Sequence, residues 1–423
     1  MDILLTGASG LVGSALLPRL LAQGHTVHAL CRRPPANAAA IGQLHWHAAD
    51  MATLLNEDDW LPLLDGIDLI INTVGIFAET GSQTFAHLHT QAPIALFNAA
   101  IVAGVERVIQ LSALGAHPQA GTAYWRSKAA ADTVLRTAPL DWAIVQPSLV
   151  YADLGTSSTL FRQMAAQPCL LVPADAGPVQ PIHLADLVDA LLQLIHRPTL
   201  GRITLAAVGP QALPWQDYLQ ALRSGMGMAR APVIALPSPW VRGISRLAAL
   251  RPGSLLNPAS LSMLQAGSCA DAGPIQQLLG RPMHLPQAYS HPALRSTAVT
   301  AAWQPWLRLA LALVWLLTAV VSIQQAPLGL QLLSDAGLPA AWHPAALWGG
   351  AGLDLILGLL TLSHPHRRLW QAQIALILGY TVFISLFLPQ WWLHPFGPIS
   401  KNLPILALLG LLTALTPATR KAS

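Results

Sequence analysis

The chain has 423 residues, which is more than one ordinary domain needs, and its composition is strongly apolar. Charged residues make up 10% and hydrophobic residues 53%, whereas about a quarter of a typical soluble domain is charged. This deficit of charge predicts that part of the chain lies in lipid. The net charge of +4 comes without a dense Lys/Arg cluster, which argues against a nucleic-acid partner. Three widely spaced cysteines predict neither a zinc site nor a disulfide framework.

Residues 1–146 alternate between short apolar runs and helical patterns. Strands are predicted at Asp2–Leu5, Thr26–Leu30, Leu44–His47, Leu69–Asn72, Arg107–Leu111 and Trp142–Gln146. Helices are predicted at Leu11–Gln23, Pro93–Ala103 and Tyr124–Arg136. This alternation is typical of an α/β domain with a doubly wound parallel sheet. The first residues lack the basic region of a signal peptide, so we expect this domain to fold in the cytosol.

The remaining chain is predicted to form two further regions. Residues 147–290 are less regular and rich in Pro and Gly, and we expect a small substrate lobe that completes the first domain. Residues 303–423 are strongly apolar and predict an all-α domain with four membrane spans. These spans are Trp306–Gln325, Trp342–Ser363, Trp370–Leu388 and the shorter Leu403–Leu415.

The charges that flank the spans predict their orientation. If the first domain lies in the cytoplasm, only Lys401 falls outside, which the positive-inside rule favours. The cytoplasmic side then receives Arg308, Arg367, Arg368, Arg420 and Lys421. We therefore expect a multi-pass protein of the inner membrane with both termini in the cytoplasm. Asp354, inside the second span, is costly in lipid and indicates either a proton or ligand site or a hydrogen-bonded structural group.

A glycine-rich turn joins the first strand to the first helix. Residues 6–13 read TGASGLVG. In this strand–turn–helix context, Gly7 allows a tight turn, Gly10 lets the backbone approach a pyrophosphate, and Gly13 lets the helix pack closely on the strand. Because free N–H groups at the start of a helix bind phosphate, we predict a dinucleotide site that also includes Ser9 and Leu11.

The next two strand ends suggest which nucleotide binds. An acidic residue after the second strand would favour NAD, but the chain has Arg32 and Arg33 there. Two guanidinium groups can pair with a 2′-phosphate, so we predict NADP, with NAD less favoured. The alternative is a pair of arginines that only face solvent. Asp50 follows the third strand, where it would either meet the adenine or cap a helix.

Three residues suggest acid–base chemistry. Tyr124 and Lys128 form a YxxxK pattern and share one face of a helix. A nearby ammonium group lowers the pKa of a phenol, so Tyr124 could transfer a proton to or from a carbonyl or alcohol. Lys128 could also hold the nicotinamide ribose. Ser112, at the end of a strand, could polarise the same oxygen. Asn72 and Gly75 complete the predicted cofactor site.

These motifs together resemble the short-chain dehydrogenase/reductase superfamily, in its extended and atypical branches. The resemblance covers about residues 1–300 and includes the glycine turn, the Ser–YxxxK order and QPIHLAD at 180–186. SALGA at 112–116 is similar to NAD(P)-binding proteins related to the nucleotide-binding accessory subunit of respiratory complex I. The resemblance implies a Rossmann fold, a bound nicotinamide nucleotide, and Ser112, Tyr124 and Lys128 as a catalytic triad. In some relatives the nucleotide is only structural.

Residues from about 303 onward resemble the DoxX-like four-helix domain, most specifically at 394–398 (HPFGP) and 401–404 (KNLP). The broader family includes a quinone-linked membrane subunit. We therefore expect a membrane-anchored NADP-dependent oxidoreductase that acts on a carbonyl or alcohol. Its substrate would be a small or lipophilic molecule, with a quinone or a membrane protein complex as a possible partner. Two alternatives stay open: a non-catalytic nucleotide sensor or assembly factor that docks a membrane complex, and an NAD-dependent sugar-nucleotide epimerase. The histidines lack ligand spacing, so no metal site is predicted.

Overall fold

The computed structural model describes residues 1–35, 42–250, 254–395 and 397–417. The chain divides into two compact units, Met1–Ala298 and Val299–Ser423. The strands of the first unit, in chain order, are β1 (Asp2–Thr6), β2 (Thr26–Cys31), β3 (Leu44–Ala48), β4 (Leu69–Asn72), β5 (Arg107–Leu111), β6 (Asp141–Pro147), β7 (Val150–Tyr151), β8 (Leu170–Pro173), β9 (Ile182–His183), β10 (Ile203–Ala207) and β11 (Val233–Leu236). Its helices are α1 (Leu11–Ala22), α2 (Glu57–Trp60), α3 (Ala92–Ala103), α4 (Ala123–Thr137), α5 (Thr156–Ala165), α6 (Leu184–His196), α7 (Trp215–Gly225), α8 (Ser238–Ala248), α9 (Pro258–Ala266) and α10 (Gly273–Leu279).

Seven strands form one parallel sheet in the order β10-β6-β5-β4-β1-β2-β3. The strand order reverses between β1 and β4, which is where doubly wound sheets bind their ligands, beyond the carboxyl ends of the strands. The register aligns Thr6 with Asn72 and Asn72 with Gln110, so β1, β4 and β5 end side by side. The predicted fold class is confirmed, and each predicted strand agrees with the structure to within one residue at either end.

Side chains that alternate in direction along the strands form an apolar core on each face of this sheet. Ile3 and Leu5 of β1 pack into one apolar cluster with Leu16 of α1 and Leu191 of α6. Leu4, which points the other way, packs into a second cluster on the opposite face. Helices therefore cover both faces, as parallel sheets require.

The region predicted as a substrate lobe contributes to this sheet. Strand β10 lies at the sheet edge, where Ile203 pairs with Ala143 of β6. The same region also forms two small sheets of two strands each, β8 with β11 and β7 with β9. The chain forms one compact unit as far as Ala298, with no boundary drawn inside it. The substrate lobe at residues 147–290 therefore stays a prediction.

The second unit is helical. Its helices are α11 (Arg295–Gln324, which begins at the end of the first unit), α12 (Ala326–Asp335), α13 (His343–Ser363), α14 (Arg367–Phe387) and α15 (Asn402–Leu415). Among the described residues, three helical segments are long and apolar enough to cross a membrane: Pro292–Gln324, Ala340–Ser363 and Arg367–Phe387. Helix α15 has 14 residues and is about 21 Å long at 1.5 Å per residue, short of the roughly 30 Å hydrocarbon core.

Buried polar side chains join three helices of the second unit. Trp315 of α11 donates from Nε1 to Oε1 of Gln373 of α14 at 2.9 Å. Gln373 in turn donates from Nε2 to Oγ1 of Thr361 of α13 at 2.9 Å. Asp354 of α13 is 5% exposed, and its Oδ1 has no hydrogen-bond partner among the described residues. Arg420 and Lys421, which were used to predict the membrane orientation, lie outside the described residues.

Candidate dinucleotide and catalytic site

The glycine turn is as tight as its sequence requires. Gly7 adopts φ +74°, and a Cβ there would lie 2.8 Å from Oγ1 of Thr73. A Cβ on Gly13 would lie 2.2 Å from the Gly7 carbonyl oxygen, too close for any side chain. Gly10 caps α1 and donates its N–H to the same carbonyl at 2.8 Å. The first N–H groups of α1, beginning at Leu11, have no intrahelical acceptors. This cradle of bare backbone beside β4 fits a pyrophosphate.

The residues predicted to select the nucleotide lie next to this turn. Arg32 and Arg33 directly follow β2 and are exposed. The turn is joined to that strand end, because Ala8 donates its N–H to the Leu30 carbonyl. Neither arginine forms an ion pair with a described residue. Asp50 caps a short 3₁₀ helix by accepting from the Ala52 N–H, and it also accepts from Nε2 of Gln83. The structure thus gives Asp50 a capping role, and its contact with adenine stays a prediction.

Asn72 is part of a buried polar row beneath the strand ends. Its Oδ1 accepts from Oγ1 of Thr6 at 2.6 Å, and its Nδ2 donates to Oε1 of Gln110 at 2.7 Å. The row crosses β1, β4 and β5, and it ends at Gln110 Nε2, which has no partner among the described residues. Asn72 therefore fixes the strand ends, and Gly75, three residues later, is exposed above them.

Lys128 is buried at the end of these strands. Its Nζ donates to the carbonyl oxygens of Val74 at 3.0 Å and Leu111 at 3.1 Å. A Cβ on Gly75 would lie 3.2 Å from this Nζ, so the glycine leaves room for the ammonium group. Burial lowers the pKa of Lys128 to about 8, although the nearby Asp132 carboxylate acts in the opposite direction. A modest rise in pH is therefore enough to remove this charge.

Ser112 binds a carboxyl group that the sequence analysis did not include. Its Oγ donates to Oδ2 of Asp132 at 2.5 Å. Asp132 is fully buried, and its Oδ1 has no partner among the described residues. Burial raises the pKa of Asp132 against the opposing effects of Ser112 and Lys128. The Ser112 hydroxyl therefore donates its proton to the Asp132 carboxylate and has none left for another acceptor, unless Asp132 is itself protonated.

Tyr124 lies among aromatic rings. Its ring stacks on Phe77 with centroids 5.2 Å apart, and the rings of Phe85 and His89 approach it edge-on. The hydroxyl forms no hydrogen bond with another described residue, and burial raises its pKa further above the ordinary value. The predicted lowering of this pKa by Lys128 is therefore absent from this arrangement. Tyr124 therefore stays protonated, as a side chain that donates a proton must be.

His89 is a fixed, neutral member of the site. Its Nε2 accepts from the Ile76 N–H at 3.0 Å, so its Nδ1 carries the proton toward Oγ of Ser127. Ser127 donates in turn to the Tyr124 carbonyl. Burial, followed by the positive charge of Lys128, lowers the pKa of His89 to about 2. His89 therefore connects the loop after β4 to the helix that carries Tyr124.

The structure brings Lys128, Ser112 and Gly75 to one edge of the sheet, but it forms no hydrogen bond between Ser112 and Tyr124. Sequence reasoning missed Asp132, His89 and Phe77. Asp132 had a usable signal, because it follows Lys128 by four residues and lies on the same helix face as Tyr124 and Lys128. No sequence pattern identified His89 or Phe77.

Two family models match separate parts of the chain. Residues 7–193 match the NAD(P)H-binding family and residues 312–410 match the DoxX-like family. A ceramide reductase of Caulobacter vibrioides is 26% identical over 244 residues, which cover 56% of this chain and 74% of that protein. Subunit 9 of the mitochondrial NADH dehydrogenase (ubiquinone) 1 alpha subcomplex of Dictyostelium discoideum is 21% identical over 159 residues, covering 37% of this chain and 44% of that protein.

Solved structures agree with the fold of the first unit. A nucleoside-diphosphate-sugar epimerase of Staphylococcus aureus superposes with a TM-score of 0.56 at 17% identity, covering 68% of this chain and 99% of that one. The NADPH complex of the quinone oxidoreductase QOR2 of Escherichia coli gives 0.55 at 18% identity, covering 67% and 97%. At this identity the likeness shows the fold alone. The chain thus combines a Rossmann-fold domain that matches the NAD(P)H-binding family with a C-terminal region that matches the DoxX-like family.

Proposed function

We propose that this protein is a membrane-anchored, NADPH-dependent reductase of a lipophilic carbonyl compound. The observation that carries the proposal is the position of Lys128. Its buried ammonium lies at the carboxyl ends of β4 and β5, beside Gly75, on the helix that presents Tyr124. Burying a charged side chain costs free energy. Buried groups with a shifted pKa cluster at functional sites, so this lysine at the switch point of the sheet supports a catalytic role.

The proposed cofactor is held by the residues at that edge. Gly7, Gly10 and Gly13 leave room for the pyrophosphate, and Ser9 and the N–H of Leu11 face it. Arg32 and Arg33, without ion-pair partners among the described residues, pair with the 2′-phosphate. Lys128 exchanges one of its two carbonyl acceptors for the nicotinamide ribose. Bound NADPH supplies a hydride to the carbonyl carbon.

The side chains handle the proton in this proposal. Tyr124 donates its phenolic proton to the substrate oxygen as the carbon accepts the hydride, so the products are an alcohol and NADP⁺. Once the ribose has replaced one of its carbonyl acceptors, Lys128 stabilises the phenolate until solvent returns a proton, an effect that the arrangement described above lacks. Ser112 orients the substrate oxygen. When Asp132 is protonated it donates to Ser112, and the serine hydroxyl then becomes free to donate to the substrate.

The lipophilic substrate class is supported by the second unit and by a relative. Three apolar helices keep the enzyme at a membrane, and the matched Caulobacter protein is a ceramide reductase. We propose the inner membrane, with the first unit in the cytoplasm. Arg308, Arg367 and Arg368 lie on the side that the positive-inside rule assigns to the cytoplasm, and Lys401 lies opposite.

Isotope transfer tests this function. The purified full chain is incubated with membrane lipid extract and NADPH deuterated at the reactive nicotinamide carbon, and the lipids are analysed by mass spectrometry. We expect deuterium on the carbinol carbon of a new lipid alcohol. A Lys128→Met variant serves as the matched control. Tight NADPH binding without deuterium in any lipid would contradict a reductase.

A second candidate is a nucleotide-binding subunit that docks a membrane complex. One observation favours it: Ser112 is bound by Asp132, Lys128 is bound by two carbonyls, and Tyr124 has no polar partner among the described residues. A matched relative is a subunit of a respiratory complex. This candidate predicts that the protein purifies from membranes with partner proteins and does not turn over NADPH.

A further inference from the structure

Helix α8 turns its apolar side away from the protein. Trp240, Ile244 and Leu247 are spaced by four and three residues, so they lie on one face. They are 72%, 51% and 69% exposed. Leu250, just after the helix, is also exposed. These four side chains form a continuous apolar ridge on the surface of the first unit.

The opposite side of α8 faces the protein body and carries two serines beside the half-buried apolar side chains of Val241 and Ala248. Ser245 is buried. Ser238 donates from Oγ to Oδ2 of Asp175, the second residue after β8, at 2.6 Å. A surface helix of a globular protein ordinarily turns its large apolar side chains inward, whereas α8 turns its largest ones outward. This outward apolar face is therefore suited to be covered by something outside the first unit's own core.

The strand before the helix also exposes apolar side chains. In β11, Val233 and Ile234 are exposed, and among the described residues the strand pairs with β8 alone. An exposed apolar surface of this extent marks an interaction site in a soluble environment or a membrane contact. The ridge on α8 contains four such side chains, so it is larger than one stray side chain.

The charges in this segment of the sequence favour one occupant, and the Asp175 carboxylate contacts α8 on the side that faces the body. Between Asp217 and Asp271 the sequence contains no acidic residue, and its only charged residues are the arginines 223, 230, 242, 246 and 251. Arg242 and Arg246 lie on α8, flanking the side that faces the body, and both are exposed. An apolar face with Trp and Leu, bordered by arginines, is the pattern of a helix that lies in the plane of a membrane surface. Arginines at that depth attract anionic headgroups.

We infer that α8 forms an in-plane membrane contact, by which the first unit rests on an anionic lipid surface through the ridge of Trp240, Ile244, Leu247 and Leu250. The same chain contains three helices able to span a bilayer, so a lipid surface is always available to this unit. The contact does not depend on the catalytic proposal, because it concerns where the unit rests and not what it converts.

Site-specific quenching in nanodiscs tests the inference with the full-length chain. Cys169 and Cys269 are replaced by Ser, and Cys31 is buried. An environment-sensitive fluorophore is attached at Leu247→Cys on the ridge, or at Arg246→Cys on the same helix as the matched control. The unlabelled parent provides the blank. Each protein is reconstituted with phosphatidylcholine alone or with added phosphatidylglycerol.

We expect nitroxide-labelled lipid to quench the fluorophore at position 247 several-fold more than at 246, and aqueous iodide to do the opposite. The contrast should be larger with phosphatidylglycerol. Equal access of iodide to both positions would overturn the membrane contact. Protection of position 247 from both quenchers would also overturn it, because another protein segment or a second copy would then cover the ridge. An unchanged contrast without phosphatidylglycerol would overturn the anionic preference.

Discussion

The glycine turn and helix α4 form two sides of the candidate site, and they are specified in different ways. The turn is built from backbone alone: a Cβ on Gly13 would overlap the Gly7 carbonyl, so only one residue type fits. The working part of α4 is built from side chains whose partners come from other strands, as when Asp132 binds Ser112 after β5. Backbone constraints are local and visible in a motif, whereas side-chain partners depend on the finished fold.

The largest effect should come from the turn. Gly13→Ala places a methyl group 2.2 Å from the Gly7 carbonyl oxygen, whereas Gly10→Ala places one 3.1 Å from it. Overpacking of this kind costs about 1–3 kcal/mol, and more against backbone. We expect Gly13→Ala to abolish NADPH binding and lower Tm sharply, and Gly10→Ala to do so less. Thermal unfolding and nucleotide titration measure both. Equal losses in the two variants would show that this close approach does not govern the turn.

Lys128 should govern the chemistry of α4. Lys128→Met removes the ammonium that stabilises the Tyr124 phenolate, and proton-transfer groups typically contribute roughly 10²–10⁴-fold. We therefore expect kcat to fall by that order. In the wild type, kcat should decline as pH rises through about 8, because the pKa of Lys128 lies there. Stability should change in the other direction, since the unfolded lysine holds its proton more tightly and deprotonation favours the folded state between pH 8 and roughly 10.4. A kcat that stays constant to high pH would exclude this lysine as the group that loses charge.

The two arginines after β2 should distinguish the cofactors. Hydrogen bonds to charged groups are worth about 1.5–3 kcal/mol, so Arg32→Ala or Arg33→Ala should weaken NADPH binding by roughly 10–100-fold. Affinity for NADH should not change, because NADH lacks the 2′-phosphate. Arg19→Ala, which alters an exposed arginine on α1, is the matched control. Equal weakening of both nucleotides would remove the arginines from the discrimination.

Asp132 should have the smallest effect, visible as a pH dependence of stability. Burial raises its pKa, so the folded state keeps the proton at pH values where the unfolded state, with a pKa of about 3.9, has lost it. The stability contribution is thus complete below the unfolded pKa and is lost as pH rises through the raised value. Asp132→Asn cannot ionise. Its free energy of unfolding relative to the wild type should therefore increase with pH, by about 1.4 kcal/mol for each unit of the shift. A difference that does not vary with pH would mean that Asp132 titrates normally.

The sequence was sufficient for the fold class, and it placed Tyr124 and Lys128 on one helix face, although their roles stay predictions. Strand and helix bounds followed from apolar runs and the 3.6-residue period, and Lys128 was found from its spacing to Tyr124. The hydrogen bond between Ser112 and Asp132 was not predicted, because the two residues are 20 positions apart and meet only when β5 packs beside α4. His89 was not predicted as a site residue for the same reason, since its partners lie on the loop after β4 and on α4. The sequence analysis did not assign β10, which lies inside the predicted substrate lobe, to the main sheet. Pairing at a sheet edge is not encoded in a local pattern.

One comparison tests the central claim most directly: NADPH oxidation and NADPH affinity of the wild type and Tyr124→Phe, measured in nanodiscs with a lipid carbonyl extract. The Tyr124 hydroxyl has no hydrogen-bond partner among the described residues, so its removal should leave folding and nucleotide affinity nearly unchanged. We expect substrate-dependent NADPH oxidation to be lost in the variant. Turnover at the wild-type rate in Tyr124→Phe would contradict the account, because the proton would then come from another group.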